Sequence, residues 1–290
     1  MDRIEPNFHI GDDLFSIQYM MRTGSNSMPR PHEHPFFELY YLLNGERVYF
    51  MNGNVYTVRK GDLMFIHPHV LHSTASSDKL IFERILVNFS QAFIEEGDFH
   101  LTKILQEINS GLMRIPAEEQ GEVERILNAM IYECQRAEIH YSSYVRSLLN
   151  ELLIRLHRIS LQTQAQEPEE QHPMFHLVSE IAQYINANYD KKITLEQVAK
   201  EFYISPSYLS RIFKRLTGFH FREYILVVRI REAQKRLVNT TDSVQMAVSK
   251  PLIAEQTGFG HIAHFNKTFK RLSGTTPLRY RKESQTKIGS

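Results

Sequence analysis

A single cysteine in 290 residues, Cys134, and no tryptophan at all set the first limits on this chain. One thiol cannot close an internal disulfide or build a thiolate metal cluster, so neither a disulfide scaffold nor cysteine redox chemistry is expected. No apolar run approaches the ~18 residues needed to cross a bilayer. The opening stretch, MDRIEPNFHIGDD, carries acids where a secretory signal would be apolar. A cytoplasmic protein with no membrane partner is therefore expected.

Net charge is also scarce, at +1, but the total hides an asymmetry. From Pro173 onward there are 19 Lys/Arg against 9 Asp/Glu, a net of +10, while the preceding residues carry 15 against 24, a net of −9. Attraction to a polyanion depends on local charge, so the C-terminal part suits phosphate and the N-terminal part repels it. With 42% hydrophobic and 23% charged residues, the chain can build two folded domains.

Gln162 to Pro173, QTQAQEPEEQHP, is polar, holds two prolines and reads as a linker. Before it, short β-rich runs cover Phe36 to Leu43, Arg47 to Met51, Val55 to Val58, Asp62 to Ile66 and Phe82 to Phe89, with Asn52-Gly53 as a two-residue hairpin turn. Closely spaced strands of this kind predict an antiparallel barrel or sandwich. From about Glu122 the pattern becomes helical, and Val145, Leu149, Leu152, Leu156 and Ile159 form a heptad seam. Two readings of that seam stand: packing against the chain's own barrel, or a homodimer contact. The resulting plan is α+β, with a barrel over 1–120, a helical dimerisation segment over 121–161, the linker over 162–173 and an all-α domain over 174–284.

The basic part contains an internal repeat. Ser207 to Gly218 (SYLSRIFKRLTG) matches Ala263 to Gly274 (AHFNKTFKRLSG), with Phe-Lys-Arg-Leu identical. In the first copy Leu195, Val198, Ala199 and Phe202 make one buried stripe, and Thr194 with Gln197 a capping box. Tyr203 and Ile204 turn the chain, Ser205 caps the next helix with Pro206 at its first position, and Leu209, Ile212, Phe213 and Leu216 form a second stripe ending at Gly218. Two short helices joined by a tight turn, with Lys and Arg beside the apolar face, make a helix-turn-helix. In the second copy Phe265, Thr268, Phe269 and Leu272 repeat the stripe and Gly274 the stop. A helix from about Phe221 to Leu237 separates the copies and could space them by about one DNA turn, roughly 34 Å.

Residues 176 to 281 closely resemble the DNA-binding domain of the AraC/XylS family. The resemblance is carried by Ser205-x2-Tyr208-Leu209-Ser210-Arg211-x-Phe213-Lys214-x3-Gly218, Arg229-x3-Ala233, Ile253-Ala254-x3-Gly258-Phe259, Phe265-x3-Phe269-Lys270-x3-Gly274 and Thr276-Pro277-x2-Tyr280-Arg281. It implies that Ser207, Ser210 and Arg211 face bases from the first recognition helix, and Ile262, Ala263, Asn266 and Lys267 from the second. Lys214, Arg215, Lys270 and Arg271 have the charge to anchor phosphates. One departure from the family pattern is a six-residue insertion, Ala247 to Leu252, whose Pro251 places the start of the next helix near it.

In the N-terminal part the spacing His32-x-His34-x3-Glu38-x6-Gly45, with a later Gly61-Asp62 through Pro68 to His72, resembles the two cupin motifs over about residues 10 to 90. Residues two apart on a strand share a face, so His32 and His34 can point inward together, with Glu38 joining them. In cupin enzymes such residues bind a divalent metal; in AraC-type regulators the same barrel usually holds an organic effector, often a sugar. Effector-lining groups, a divalent metal site and structural histidines are the three readings of this set. The layout implies a non-enzymatic, effector-responsive activator of carbohydrate-utilisation genes, working as a homodimer with double-stranded DNA and RNA polymerase. The rivals are a metal-dependent cupin enzyme carrying a DNA-binding domain and a metal- or stress-responsive regulator.

Overall fold

The computed structural model describes residues 2–12, 14–24, 27–28, 30–95, 99–163, 173–239 and 253–288, which fall into two compact units dividing near residue 176. The predicted linker lies almost entirely outside the described residues, as does the whole of the Ala247 to Leu252 insertion.

The first unit runs β1 (Arg3–Ile4), β2 (Phe8–Ile10), β3 (Phe15–Thr23), β4 (Phe37–Met51), β5 (Asn54–Arg59), β6 (Asp62–Ile66), β7 (His72–Ser76), β8 (Ile81–Phe89), α1 (Gln91–Glu95), α2 (Phe99–Glu107), β9 (Gly111–Arg114), α3 (Ala117–Arg136) and α4 (Tyr141–Thr163). Every named strand pairing is antiparallel, and the path is β1-β3-β8-β4-β6-β9, with β2 on β3 and β5 and β7 on β4. The antiparallel, cupin-like fold expected for this unit is present, as a sheet whose path is not closed but which fits a cupin-like jelly roll. Its path is not a closed ring, because β4 lends its first half to β6 and β8 and its second half to β5 and β7.

The runs Phe36 to Leu43 and Arg47 to Met51 are therefore one strand, whose register against β8 shifts between Leu42 and Asn44. A bulge of this kind bends a strand without ending it. The predicted turn at Asn52-Gly53 is present: φ is 50° and 84°, and Met51 pairs with Asn54.

Period-two alternation decides which side of the sheet each residue serves. Phe15 and Ile17 of β3, Leu39 and Tyr41 of β4, and Ile85, Val87 and Phe89 of β8 all enter the main core, which the helices close. The heptad side chains Val145, Leu149, Leu152, Leu156 and Ile159 lie in this same core, each between 0% and 3% exposed. Of the two readings of this seam, that burial favours packing within the chain. A heptad stripe must find an apolar partner, and here α3 and the sheet supply it within one chain.

In the second unit α5 (Pro173–Asn188) precedes α6 (Leu195–Glu201) and α7 (Pro206–Thr217), the first helix-turn-helix. Then α8 (Phe221–Asn239) leads to α9 (Ile253–Gln256) and α10 (Ile262–Ser273), the second, and α11 (Pro277–Ile288) follows. The Thr194 and Gln197 capping box is formed in full, and Ser205 Oγ accepts from the Tyr208 amide at 3.2 Å. Tyr203 turns the chain at φ 55°. Leu209, Ile212, Phe213 and Leu216 are all buried.

In the second copy α9 is described over Ile253–Gln256, and His261 at the α10 N-cap makes no side-chain cap bond. Leu272, placed in the buried stripe by the repeat, is 39% exposed, so the stripe there ends at Phe269. Between the copies, Arg229 of α8 donates to the Tyr189 and Lys191 carbonyls, both at 2.7 Å, and so ties α8 to the chain leaving α5.

Candidate functional site

Two sites follow from these elements. In the N-terminal unit the sheet face opposite the main core encloses a cavity of about 350 Å³. It receives the other alternation set of each strand: Met20 and Arg22 from β3; Glu38, Tyr40, Arg47 and Tyr49 from β4; Thr74 from β7; and Phe82, Arg84, Leu86 and Asn88 from β8.

The three predicted histidines and Glu38 come together at one end of it. Ring centroids lie 4.5 Å apart for His32 and His72, 5.0 Å for His34 and His72, and 5.7 Å for His32 and His34. His34 and His72 each turn Nδ1 to a main-chain carbonyl at 2.9 Å, of Phe36 and Val70 respectively. Their Nε2 atoms then reach Glu38, at 3.1 Å to Oε2 and 3.9 Å to Oε1.

The fully buried Glu38 has its carboxyl held below the usual carboxylate range. Desolvation pushes the other way, but the His34 hydrogen bond and the charges of His72, His34 and Arg84 outweigh it. Burial and the neighbouring His72 lower His32 from its ordinary value.

This donor set fits a divalent cation. One ligand atom from each histidine lies within 4.8 Å of the others, and the Nδ1 anchors aim Nε2 into the cluster as outer-shell carbonyls do for metal-bound histidines. His72 is fully buried, whereas His32 opens to solvent, which leaves a way in.

The histidines were legible from their spacing. The buried arginines were not, because charged side chains are assigned to the surface by default. A signal does exist in FERILVNF, where Ile85, Val87 and Phe89 make an apolar face beyond Glu83, so that Arg84 and Asn88 must share the other with Phe82 and Leu86.

In the C-terminal unit the predicted DNA-facing residues lie on the outer sides of α7 and α10. Ser207, Arg211 and Arg215 are exposed, while Ser210 and Lys214 are half-buried. The Arg211 guanidinium lies 5.7 Å from the Tyr208 ring centroid, close enough for a cation–π contact that limits its wandering. Ile262, Ala263, Asn266, Lys267, Lys270 and Arg271 are all exposed, and Ile262 keeps 48% of its surface in solvent.

Comparison with known proteins yields two family matches: an AraC-like ligand binding domain over residues 22–172 and a helix-turn-helix domain over residues 198–283. A protein of Bacillus subtilis (strain 168) named as the uncharacterized HTH-type transcriptional regulator YfiF is 24% identical over 275 residues, covering 93% of this chain and 84% of its own. The HTH-type transcriptional activator RhaS of Yersinia pestis (strain Pestoides F) is 24% identical over 264 residues, covering 90% of this chain and 92% of its own. Among solved structures, ToxT from Vibrio cholerae O395 aligns with a TM-score of 0.35 at 13% identity, over 92% of this chain and 96% of that one. No helix among the described residues is long and apolar enough to cross a membrane.

Proposed function

Since this chain belongs to the AraC family, whose ligand-binding domain spans just over half of it, we propose that it is a sequence-specific DNA-binding transcription regulator that answers to a small effector. It is a cytoplasmic homodimer, not an enzyme, and it activates carbohydrate-utilisation genes by engaging RNA polymerase.

The observation that carries this reading is the pair of helix-turn-helix units, each presenting an exposed, cationic recognition helix. Ser207, Ser210 and Arg211 read bases in one half of the site, and Ile262, Ala263, Asn266 and Lys267 in the other. Lys214, Arg215, Lys270 and Arg271 hold phosphates, giving affinity without sequence information. The 19-residue α8 between the units is roughly 28 Å long at 1.5 Å per residue, of the order of one DNA turn.

Effector binding changes transcription only by its differential affinity for two arrangements of the domains. Activation is supported by the relative named as an activator. The carbohydrate assignment rests on the resemblance of the domain layout.

The purified chain is expected to bind one or more promoters of its own genome at least ~1000-fold more tightly than random duplex at moderate ionic strength. Fluorescence anisotropy with labelled fragments measures this. Equal affinity for promoter and random DNA, with and without candidate effectors, would refute the reading.

The histidine cluster favours a second reading, in which metal occupancy is part of the signal. His32, His34, His72 and Glu38 would hold a divalent ion, which would supply a Lewis-acid anchor for an effector oxygen. Elemental analysis of protein purified without chelator should then give about one equivalent of zinc, manganese, iron or nickel, lost in His34→Ala. A metal content near zero in protein loaded with each ion in turn would remove this reading.

A further inference from the structure

The same cavity buries two arginines, Arg47 and Arg84, that form no ion pair among the described residues, and we infer that its ligand is a small organic oxyanion, a carboxylate- or phosphate-bearing polyol anchored by both. The inference rests on the effector-site reading above and adds the chemical class of the effector.

Arg47 of β4 is 4% exposed and Arg84 of β8 is 9% exposed, and both line the cavity. Neither forms an ion pair among the described residues. Arg47 donates to neutral hydroxyls, Ser76 Oγ at 3.4 Å and Thr74 Oγ1 at 3.2 Å, and packs 4.3 Å from the Phe82 ring centroid. Arg84 donates to Gln18 Oε1 at 3.2 Å and to the Met20 sulfur at 3.7 Å. The Nε of Arg47 and one terminal nitrogen of Arg84 are buried with no acceptor.

Besides Arg47 and Arg84 the lining holds one carboxylate, Glu38, which His34 engages at 3.1 Å and whose charge Arg84 already feels. A structural arginine in a sheet would be expected to meet a carboxylate across the strand. Here the residues opposite Arg47 are Val58 and Ser76, and those opposite Arg84 are Met20 and Leu42.

Buried cations that lack a directly paired carboxylate are costly, because the low-dielectric interior does not replace their hydration. Burial accordingly lowers the Arg47 guanidinium from its ordinary value, against the pull of the Tyr40 and Tyr49 hydroxyls. A ligand that brings a negative charge offsets this cost, and the planar guanidinium fork suits a two-oxygen anion. A neutral sugar would fill the space and leave the charge in place.

The remaining polar lining suits hydroxyl groups. The Tyr49 hydroxyl and the Asn88 side-chain oxygen are buried without partners, and Glu38 can accept. A volume of about 350 Å³ lies at the small end of ligand pockets, which selects a single sugar-sized molecule over an oligosaccharide.

The test is isothermal titration of the full-length chain with D-glucuronate, D-glucose 6-phosphate and D-glucose, each with and without a chelator. At least one anion is expected to bind roughly tenfold or more tightly than glucose, and which one it is separates carboxylate from phosphate recognition. Arg84→Gln should weaken that anion roughly tenfold or more, and Arg84→Lys, which keeps the charge but loses the fork, by less. Circular dichroism melts confirm that both variants fold.

The inference is overturned if glucose binds as tightly as the anions, or if neither anion saturates the protein. Anion binding that disappears with the chelator would also overturn it, by assigning the oxyanion to the histidine cluster. Promoter binding measured without ligand reports separately on the regulator reading. Anion binding with no promoter preference would sink that reading alone, and promoter preference with no anion selectivity would sink only this one.

Discussion

Replacing Arg211 with alanine should erase most of the preference for a cognate promoter while sparing attraction to DNA in general. An arginine placed on a guanine edge discriminates by about 1–3 kcal/mol, so specific affinity should fall roughly 5- to 150-fold. Exposed and stacked near Tyr208, Arg211 supports little of the fold, and its removal should leave the melting temperature almost unchanged. Random-duplex binding should weaken far less, since it comes from phosphate contacts and falls with salt in proportion to their number. Lys270→Ala supplies the contrast, lowering affinity for all sequences alike and flattening the salt dependence. An unchanged ratio of promoter to random binding in Arg211→Ala would show that this side chain does not read bases.

Leu152→Ala should have the largest effect on stability. Its side chain is fully buried in the core that α4 closes against α3 and the sheet. Truncations of this kind cost about 2–5 kcal/mol, through lost transfer free energy and the cavity left behind. Denaturant unfolding of the N-terminal unit measures it. Because the seam is satisfied within one chain, the unfolding midpoint difference between wild type and variant should be the same at protein concentrations roughly tenfold apart. A difference that grows with dilution would mean that Leu152 serves a contact between copies, and the intramolecular assignment would fail.

The helix-turn-helix units were legible because their signals are local. Capping needs groups three residues apart, the buried stripes need spacings of three and four, and a repeat doubles each signal. The exposure of Leu272 was less so: a stripe says which residues face inward, but whether Leu272 is covered depends on what packs beside the end of α10. The strands at Phe36 to Leu43 and Arg47 to Met51 could be seen, yet their union into β4 could not, since continuation through Asn44-Gly45 is decided by pairing with β8. Strand β3 went unread although Phe15 and Ile17 alternate, because a short polar-interrupted run has no local mark that sets it apart from a loop.

On its own, the sequence determined the family-like DNA-binding module, the segregation of charge, the histidine spacing and the side of each strand on which a residue stands. All of these depend on neighbours a few positions away or on simple counts of charge. Tertiary structure alone decided that the heptad stripe is spent inside the chain, that the sheet stays open, and that Arg47 and Arg84 turn into a cavity beside the histidines. Those outcomes depend on groups far apart in the chain competing for the same buried space, and no local pattern records which of them wins.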